Sequence, residues 1–462
     1  MKKSILSLLA LLLANTAFSA GEKRKPNIVF ILADDLGYDD VGYMSQNPKL
    51  RTPNIDALAS EGMVFTDAYA SCPVCSPTRA SLLTGKYPAS LRLTCHIPGM
   101  GMEKYLKRMN KGHKLMEAEF VDRLPEGSVT LAQALSDNGY ETAFIGKWHL
   151  AGEGSVKTKA GVVDANLHPD RYGFGTNIGG CAYGQPKSYF SPYRNATLKD
   201  GPDGEYLTDR LGDEACKFIK KNKDNPFFLY LSTYTIHTPL QAPDSTVKKN
   251  GGDRYLSMID KLDQNVGKVL RTLKASGLEE NTLVIFYSDN GGMGANKPLR
   301  GAKGSLWEGG VRVPLIVKWP GKTAPNTRNG SLVTSPDFYP TILDIADIGS
   351  RKYSFLEGKS IRKVLVKNSE ETDRAIFWHF PHHRKETDNS MGGAMREGDW
   401  KLIWNYETEK IRLFNLKDDL AETTDLAAKY PKKTEAMKKK LKRWLRRSEA
   451  NMPLPNPDYV KM

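Results

Sequence analysis

The chain of 462 residues is long enough for one large domain and a smaller one, and its 40% hydrophobic content is normal for a globular fold with a sizeable core. Lys and Arg number 67 against 53 Asp and Glu, a net charge of +14 that makes polyanions the natural partners. No nucleic-acid-binding module is recognisable, which argues against DNA or RNA, and nothing after residue 20 looks transmembrane.

Residues 1–19 open with two lysines, continue as a short apolar run and end on small residues, with Ala17-Phe18-Ser19 fitting a signal-peptidase site. The expectation is a removed leader and a periplasmic or secreted protein with no membrane span in the mature chain. Loss of Lys2 and Lys3 would lower the net charge to about +12.

Next in chain order is "NIVFILADD", an apolar run of strand length that ends in Asp34-Asp35. Cys72 and Cys75 follow as a single C-x-x-C, at the head of "CSPTRASLLTG", where a helix is about to begin. With no second pair and no His-x-x-x-His, zinc is poorly supported, and the local signature of a papain-type nucleophile is absent. A buried thiol or a disulfide remains. Five cysteines (72, 75, 95, 181 and 216) make an odd count, so if Cys75 is the odd one, Cys72, Cys95, Cys181 and Cys216 allow three pairings.

Three further strand-like runs end in polar residues: "YETAFIGKWH" in Lys147 and His149, "PFFLYLSTYTIH" in His237, and "TLVIFYSDN" in Asp289-Asn290. With helical segments between them, these runs predict an α/β fold with a largely parallel sheet, whose carboxyl ends deliver the polar residues to one crevice. Three carboxylates meeting there would repel unless a cation lay between them. Asp34, Asp35, Asp289 and Asn290 offer only hard oxygen, which suits Ca²⁺ or Mg²⁺ better than zinc.

In "LRGAKGSLWEGGVRVP" the glycines suggest a tight loop that holds Lys303 near the sheet edge, with Glu308 and Arg312 bracing it. The stretch 377–401 mixes aromatics with His379, His382, His383 and Arg384, and reads either as a strand and loop of a small domain or as a substrate rim. Much of the positive excess sits in 429–447, where Met437, Leu441, Trp444 and Leu445 mark one helical face and basic residues cover the rest.

"CSPTRASLLTG" matches the pattern C-x-P-x-R-x-x-x-x-T-G of the type I sulfatases, in the alkaline phosphatase superfamily, at Cys75, Pro77, Arg79, Thr84 and Gly85. "ADDLGY", "GKWHL", "IHTP", "SDNGG" and "KGSLWEGGVRVP" are similar to the family's remaining motifs and come in its order over residues 25–345. "SPDFYPTILDIA" and the segment beginning "GDWKLIWNYE" resemble its closing helix and smaller C-terminal domain. The resemblance implies an alkaline phosphatase-like large domain over residues 20–350, with a mostly parallel central sheet flanked by helices. It also implies a smaller C-terminal α+β domain with an antiparallel sheet over 351–462.

The resemblance further implies that a separate formylglycine-generating enzyme, reading Pro77 and Arg79, oxidises Cys75 to an aldehyde that hydrates to a diol. One hydroxyl attacks sulfur and displaces the substrate alcohol; the second allows the sulfate to be expelled and the aldehyde restored. Asp34, Asp35, Asp289 and Asn290, with the diol of residue 75, would hold Ca²⁺. Arg79 would hold the diol, Lys147 and Lys303 the sulfate oxygens, while His149 would serve as base for elimination and His237 as acid for the leaving oxygen. The expected substrate is a sulfated carbohydrate, polymeric or a derived oligosaccharide. The alternatives are a phosphodiester or phosphonate monoester hydrolase of the same superfamily, or a non-catalytic polyanion-binding protein. Ala151, Glu357, Cys95 and His96 depart from common family choices, the last two with a bearing on the pocket rim.

Overall fold

The structure, a computed structural model, describes residues 24–152, 164–294, 296–349, 352–384 and 391–460. The leader read in residues 1–19 lies outside them.

Eight strands form the large sheet: β1 (Asn27–Ala33), β2 (Met63–Phe65), β3 (Glu141–Gly146), β4 (Thr176–Ile178), β5 (Phe227–Ser232), β6 (Thr282–Ser288), β7 (Leu315–Lys318) and β8 (Thr327–Asn329). Their spatial order is β8-β2-β7-β6-β1-β5-β3-β4. The five strands from β6 to β4 run parallel, and β7 is antiparallel to both of its neighbours.

β1 is buried along its whole length because helices cover both faces of the sheet. Its alternate side chains feed two cores. Ile28, Phe30 and Leu32 join Leu82, Leu83, Phe338 and Ile342 on one face, from helices α2 (Cys75–Thr84) and α5 (Phe338–Ile345). Val29, Ile31 and Ala33 join Leu211, Ile219, Leu262 and Val266 on the other, from α3 (Leu207–Lys221) and α4 (Arg254–Ala275). On that second face α1 (Pro53–Glu61) adds Ile55 and Leu58. Each such aliphatic or aromatic side chain contributes about 1.5–3 kcal/mol by leaving water.

A separate antiparallel sheet is built from β9 (Ala375–Phe380), β10 (Gly392–Glu397), β11 (Trp400–Asn405) and β12 (Ile411–Asn415) in sequential order. Alternation again sorts its side chains. Met395, Leu402 and Leu413 pack under Met437, Leu441 and Leu445 of α6 (Pro431–Arg447), whereas Trp378, Ala394, Ile403 and Phe414 face Tyr69, Cys72, Leu306 and Trp307 of the larger body.

A buried ionic joint fastens the two sheets. Lys401 Nζ lies 2.8 Å from Glu308 Oε1 and 3.0 Å from Glu422 Oε1, while Glu308 Oε2 accepts from Tyr69 Oη at 2.6 Å and pairs with Arg312 at 3.2 Å. Glu308 and Arg312 thus brace each other as expected.

The three disulfide pairings allowed by the sequence do not occur. All five cysteines are free and buried. Cys216 packs in the helical layer with a hydrogen bond from Thr272 at 3.1 Å, whereas Cys72 and Cys95 lie beneath the small sheet. They behave as small core hydrophobes.

Candidate active site

The carboxyl ends of β6, β1, β5 and β3 lie side by side, so the residues that follow these four strands meet in one crevice. Asp34, Asp35 and Asp289 each turn a carboxylate oxygen inward, all within 4.8 Å of one another, and all three residues are buried, as is Asn290. Asn290 Nδ2 donates to Asp35 Oδ1 at 2.8 Å, but its Oδ1 is buried without a hydrogen-bond partner.

Three cations answer the three carboxylates. Lys147 Nζ lies 2.8 Å from both oxygens of Asp34. Lys303 Nζ lies 2.7 Å from Asp35 Oδ1 and 2.8 Å from Oδ2. Arg79 donates from Nε to Asp289 Oδ2 at 2.9 Å, from Nη1 to the Lys147 carbonyl at 2.9 Å and to Ser232 Oγ at 2.5 Å, with Nη2 3.4 Å from Asp34. Burial drives the carboxyls of Asp34 and Asp289 up from their ordinary values, against the pull of Lys147 on the first and Arg79 on the second. Burial also opposes ionisation of Asp35, yet Lys303, His237 and Lys147 outweigh it and hold that carboxyl down.

Cys75 is the first residue of α2, where Pro77 in the first turn forfeits no helical hydrogen bond. One turn later Arg79 falls on the same face. The helix closes on Gly85 in the left-handed conformation (φ 67°), where a side chain would also press into Leu356. Cys75 Sγ lies 3.4 Å from His149 Nδ1, and the other ring nitrogen, Nε2, is 2.9 Å from the Ile97 carbonyl. Only a protonated Nε2 can donate to that carbonyl, which leaves Nδ1 as the acceptor facing residue 75. Burial and the Lys147 charge keep the imidazole neutral. Burial likewise opposes ionisation of the Cys75 thiol, but Lys147 and Lys303 prevail and lower it.

His237 Nε2 stands 3.7 Å from Asp35 Oδ2, its Nδ1 engaged by the Thr238 carbonyl at 3.0 Å. Burial, with Lys147 and Lys303 nearby, depresses this imidazole to about 4. Asp35 and His149 both adopt left-handed backbone conformations, with φ of 63° and 55°. For a side-chain-bearing residue that costs on the order of 1–2 kcal/mol, a strain that collects at functional sites.

All of the sequence-derived candidates (Asp34, Asp35, Cys75, Arg79, Lys147, His149, His237, Asp289, Asn290 and Lys303) therefore gather around one point. Two supporting residues escaped sequence reasoning. Ser232 takes a hydrogen bond from Arg79 and gives one to the Lys147 carbonyl at 2.7 Å; its position as the last residue of β5 was the available signal. Gly184 lies against the His149 ring, which any side chain there would displace, and nothing in its neighbourhood announces this.

The histidines of 377–401 form no rim, whereas Arg384 lies against Gly304, next to Lys303, and residues 385–390 of the stretch lie outside the described residues. His379, His382 and His383 are buried, with His382 Nδ1 2.9 Å from Glu117 Oε2 and His379 held by Tyr406 Oη and the Asn451 carbonyl. Glu357 accepts from Tyr87 N and Ser90 Oγ, away from the crevice.

Two family models match. One described as Sulfatase covers residues 26–348, and one described as N-sulphoglucosamine sulphohydrolase, C-terminal, covers 302–451. A sulfatase of Formosa agariphila is 34% identical over 98% of this chain and 96% of its own. The steryl-sulfatase of Mus musculus is 30% identical over 80% of this chain and 70% of its own. The crystal structure of Ps i-CgsB in complex with k-i-k-neocarrahexaose is similar with a TM-score of 0.77 and 30% identity, over 95% of both chains.

Proposed function

Since the chain belongs to the sulfatase family and is a sulfuric ester hydrolase, we propose that it acts on a sulfated carbohydrate, a polysaccharide or an oligosaccharide cut from one, using formylglycine at position 75 and Ca²⁺. Membership, together with the full set of candidate residues gathered in the crevice, argues against a polyanion binder without catalysis. The likeness to Ps i-CgsB over nearly both whole chains supports a carbohydrate substrate, as does the net charge of +14.

One observation carries the reading of the site. Three buried carboxylates and an amide oxygen without a partner converge beside Cys75, and all four donors are hard oxygens. Such a set fits Ca²⁺. Asp34, Asp35, Asp289 and Asn290 would hold the ion, with residue 75 completing the set. When present, the ion supplies positive charge to a sulfate oxygen and the formylglycine hydrate supplies the attacking hydroxyl.

The chain's own residues do the rest. His149, with Nε2–H given to Ile97, keeps Nδ1 free to take a proton from residue 75. Lys147 and Lys303 stabilise negative charge on the sulfate oxygens. Arg79, gripped by Asp289 and Ser232, orients residue 75 from the next helical turn. His237 presents Nε2 to the crevice; because burial and the two lysines keep this ring neutral, its proton arrives only when the negative sulfate offsets them. Maturation by a formylglycine-generating enzyme that reads Cys75, Pro77 and Arg79, and export to the periplasm or medium on the strength of residues 1–19, complete the proposal.

The test is a panel of sulfated glycans set against phosphate esters and phosphonate monoesters, with the mass of the Cys75 peptide measured on the same preparation. The expected result is an aldehyde at residue 75 and preference for a sulfated glycan. Faster turnover of phosphodiesters or phosphonates would overturn the substrate assignment, and full activity of a wholly unmodified chain would overturn the nucleophile.

A further inference from the structure

Helix α6 carries nine Lys and Arg against one acid, Glu435, a net +8 out of the chain's +14. A solvated helix normally mixes signs, since like charges at i,i+4 destabilise it and opposite ones support it. Here Lys439 is followed by Arg443, and Arg443 by Arg447, each four residues on. Of the nine, Lys440 pairs with Glu397; among the described residues no ion pair involves Lys432, Lys439, Lys442, Arg443, Arg446 or Arg447, all of them exposed.

At 100° per residue, Lys432, Lys439, Arg443 and Arg446 fall on one stripe, opposite the buried Met437, Leu441 and Leu445. The fourteen steps from Lys432 to Arg446, at 1.5 Å each, give the stripe a length of about 21 Å. Its C-terminal end borders a groove of about 220 Å³ lined by Trp404, Lys442, Leu445, Arg446, Glu449, Ala450 and Met452, in which Glu449 is the one acid. The stripe stands apart from the crevice. Trp444 anchors α6 on Phe377 and on Tyr87, which lies beyond the opposite end of α2 from Cys75.

We infer that this face of α6 is a second, non-catalytic binding surface for a linear sulfated polysaccharide, holding the polymer while the crevice works on it. The identity of the polymer rests on the carbohydrate reading above; the surface itself rests on the charge. A row of unpaired cations matches a row of sulfates by counterion release, and the apolar groove suits a sugar ring between charges. A bilayer is a poorer match because the apolar face of the helix is already spent on the small sheet, leaving nothing to insert. Nucleic acid is poorer too, since the chain carries no recognisable nucleic-acid-binding module.

The test uses the full chain and the variant Lys439→Gln/Arg443→Gln/Arg446→Gln/Arg447→Gln, whose exposed changes keep good helix formers. Binding to dextran sulfate, neutral dextran, phosphatidylglycerol vesicles and duplex DNA is measured over a range of salt, beside kcat/KM on 4-nitrophenyl sulfate. We expect dextran sulfate to bind best, the variant to bind it at least tenfold more weakly with a shallower salt dependence, and aryl sulfate turnover to be unchanged. Unaltered dextran sulfate affinity in a folded variant would overturn the inference, as would tighter binding to vesicles or DNA than to dextran sulfate. The two proposals fail separately: wild type that hydrolyses no sulfated glycan yet holds dextran sulfate through α6 refutes the substrate reading and leaves the surface standing.

Discussion

His237, held neutral by burial and by Lys147 and Lys303, is proposed as the acid for the leaving oxygen, and that role has a testable signature. A sugar hydroxyl leaves badly as an alkoxide, whereas an electron-poor aryl oxide leaves readily, so an acid matters far more to the first. His237→Ala should therefore lose on the order of 10²–10⁴-fold in kcat/KM on a sulfated sugar, and much less on 4-nitrophenyl sulfate, with aldehyde content and metal occupancy matched. Equal losses on both would remove the residue from that role. The same scale shows what sequence can carry. Cys75, Arg79 and Lys147 stand in spaced motifs and could be named from them, and so could the residues that end the strands. Gly184 could not, because its importance is the absence of atoms where the His149 ring lies, a fact that only the folded chain contains.

Among the elements, the four strands that end in the crevice were legible as apolar runs with polar tails, and α6 as a stripe of Met437, Leu441 and Leu445. The joint between the sheets was only half legible. Glu308 and Arg312, four residues apart, could be paired on paper, but Lys401 and Glu422 come from distant segments, and no local pattern joins them. Burial pushes the Glu422 carboxyl up, whereas Lys401 and Arg312 overcome burial and hold Glu308 down, so Lys401 is the cation that lets two acids share a dry site. Lys401→Met should cost about 3–5 kcal/mol, since it strands buried charge, read as a lower urea midpoint; adding Glu422→Gln should recover part of the loss. In β9, His379 is depressed to about 4 by burial. The unfolded chain then binds a proton that the native state refuses between about pH 6.5 and 4. The resulting stability is present above that window and fades as pH falls through it, by on the order of 3 kcal/mol. Denaturant titrations at pH 7 and pH 4.5 should show His379→Gln losing less than wild type over that interval.

For the molecule as a whole, the proposed dependence on a hard cation would follow from carboxylates delivered by strands that are far apart in sequence and adjacent in space. Chelation should abolish turnover, and Ca²⁺ should restore it better than Zn²⁺; activity that persists after elemental analysis finds no metal would contradict the oxygen-ligand assignment. No described helix is long and apolar enough to cross a membrane. Finally, the five unlinked thiols let the chain gauge its own maturation. In denaturant an unconverted chain should give a chromogenic disulfide five sulfhydryl equivalents, and a fully converted one four, the five minus Cys75. Specific activity plotted against that stoichiometry should fall on a line that reaches zero at five. In native buffer the same reagent reaches each sulfur only when its surroundings open, so Cys216 behind the large sheet and Cys72 beneath the small one become two clocks for the breathing of two different regions.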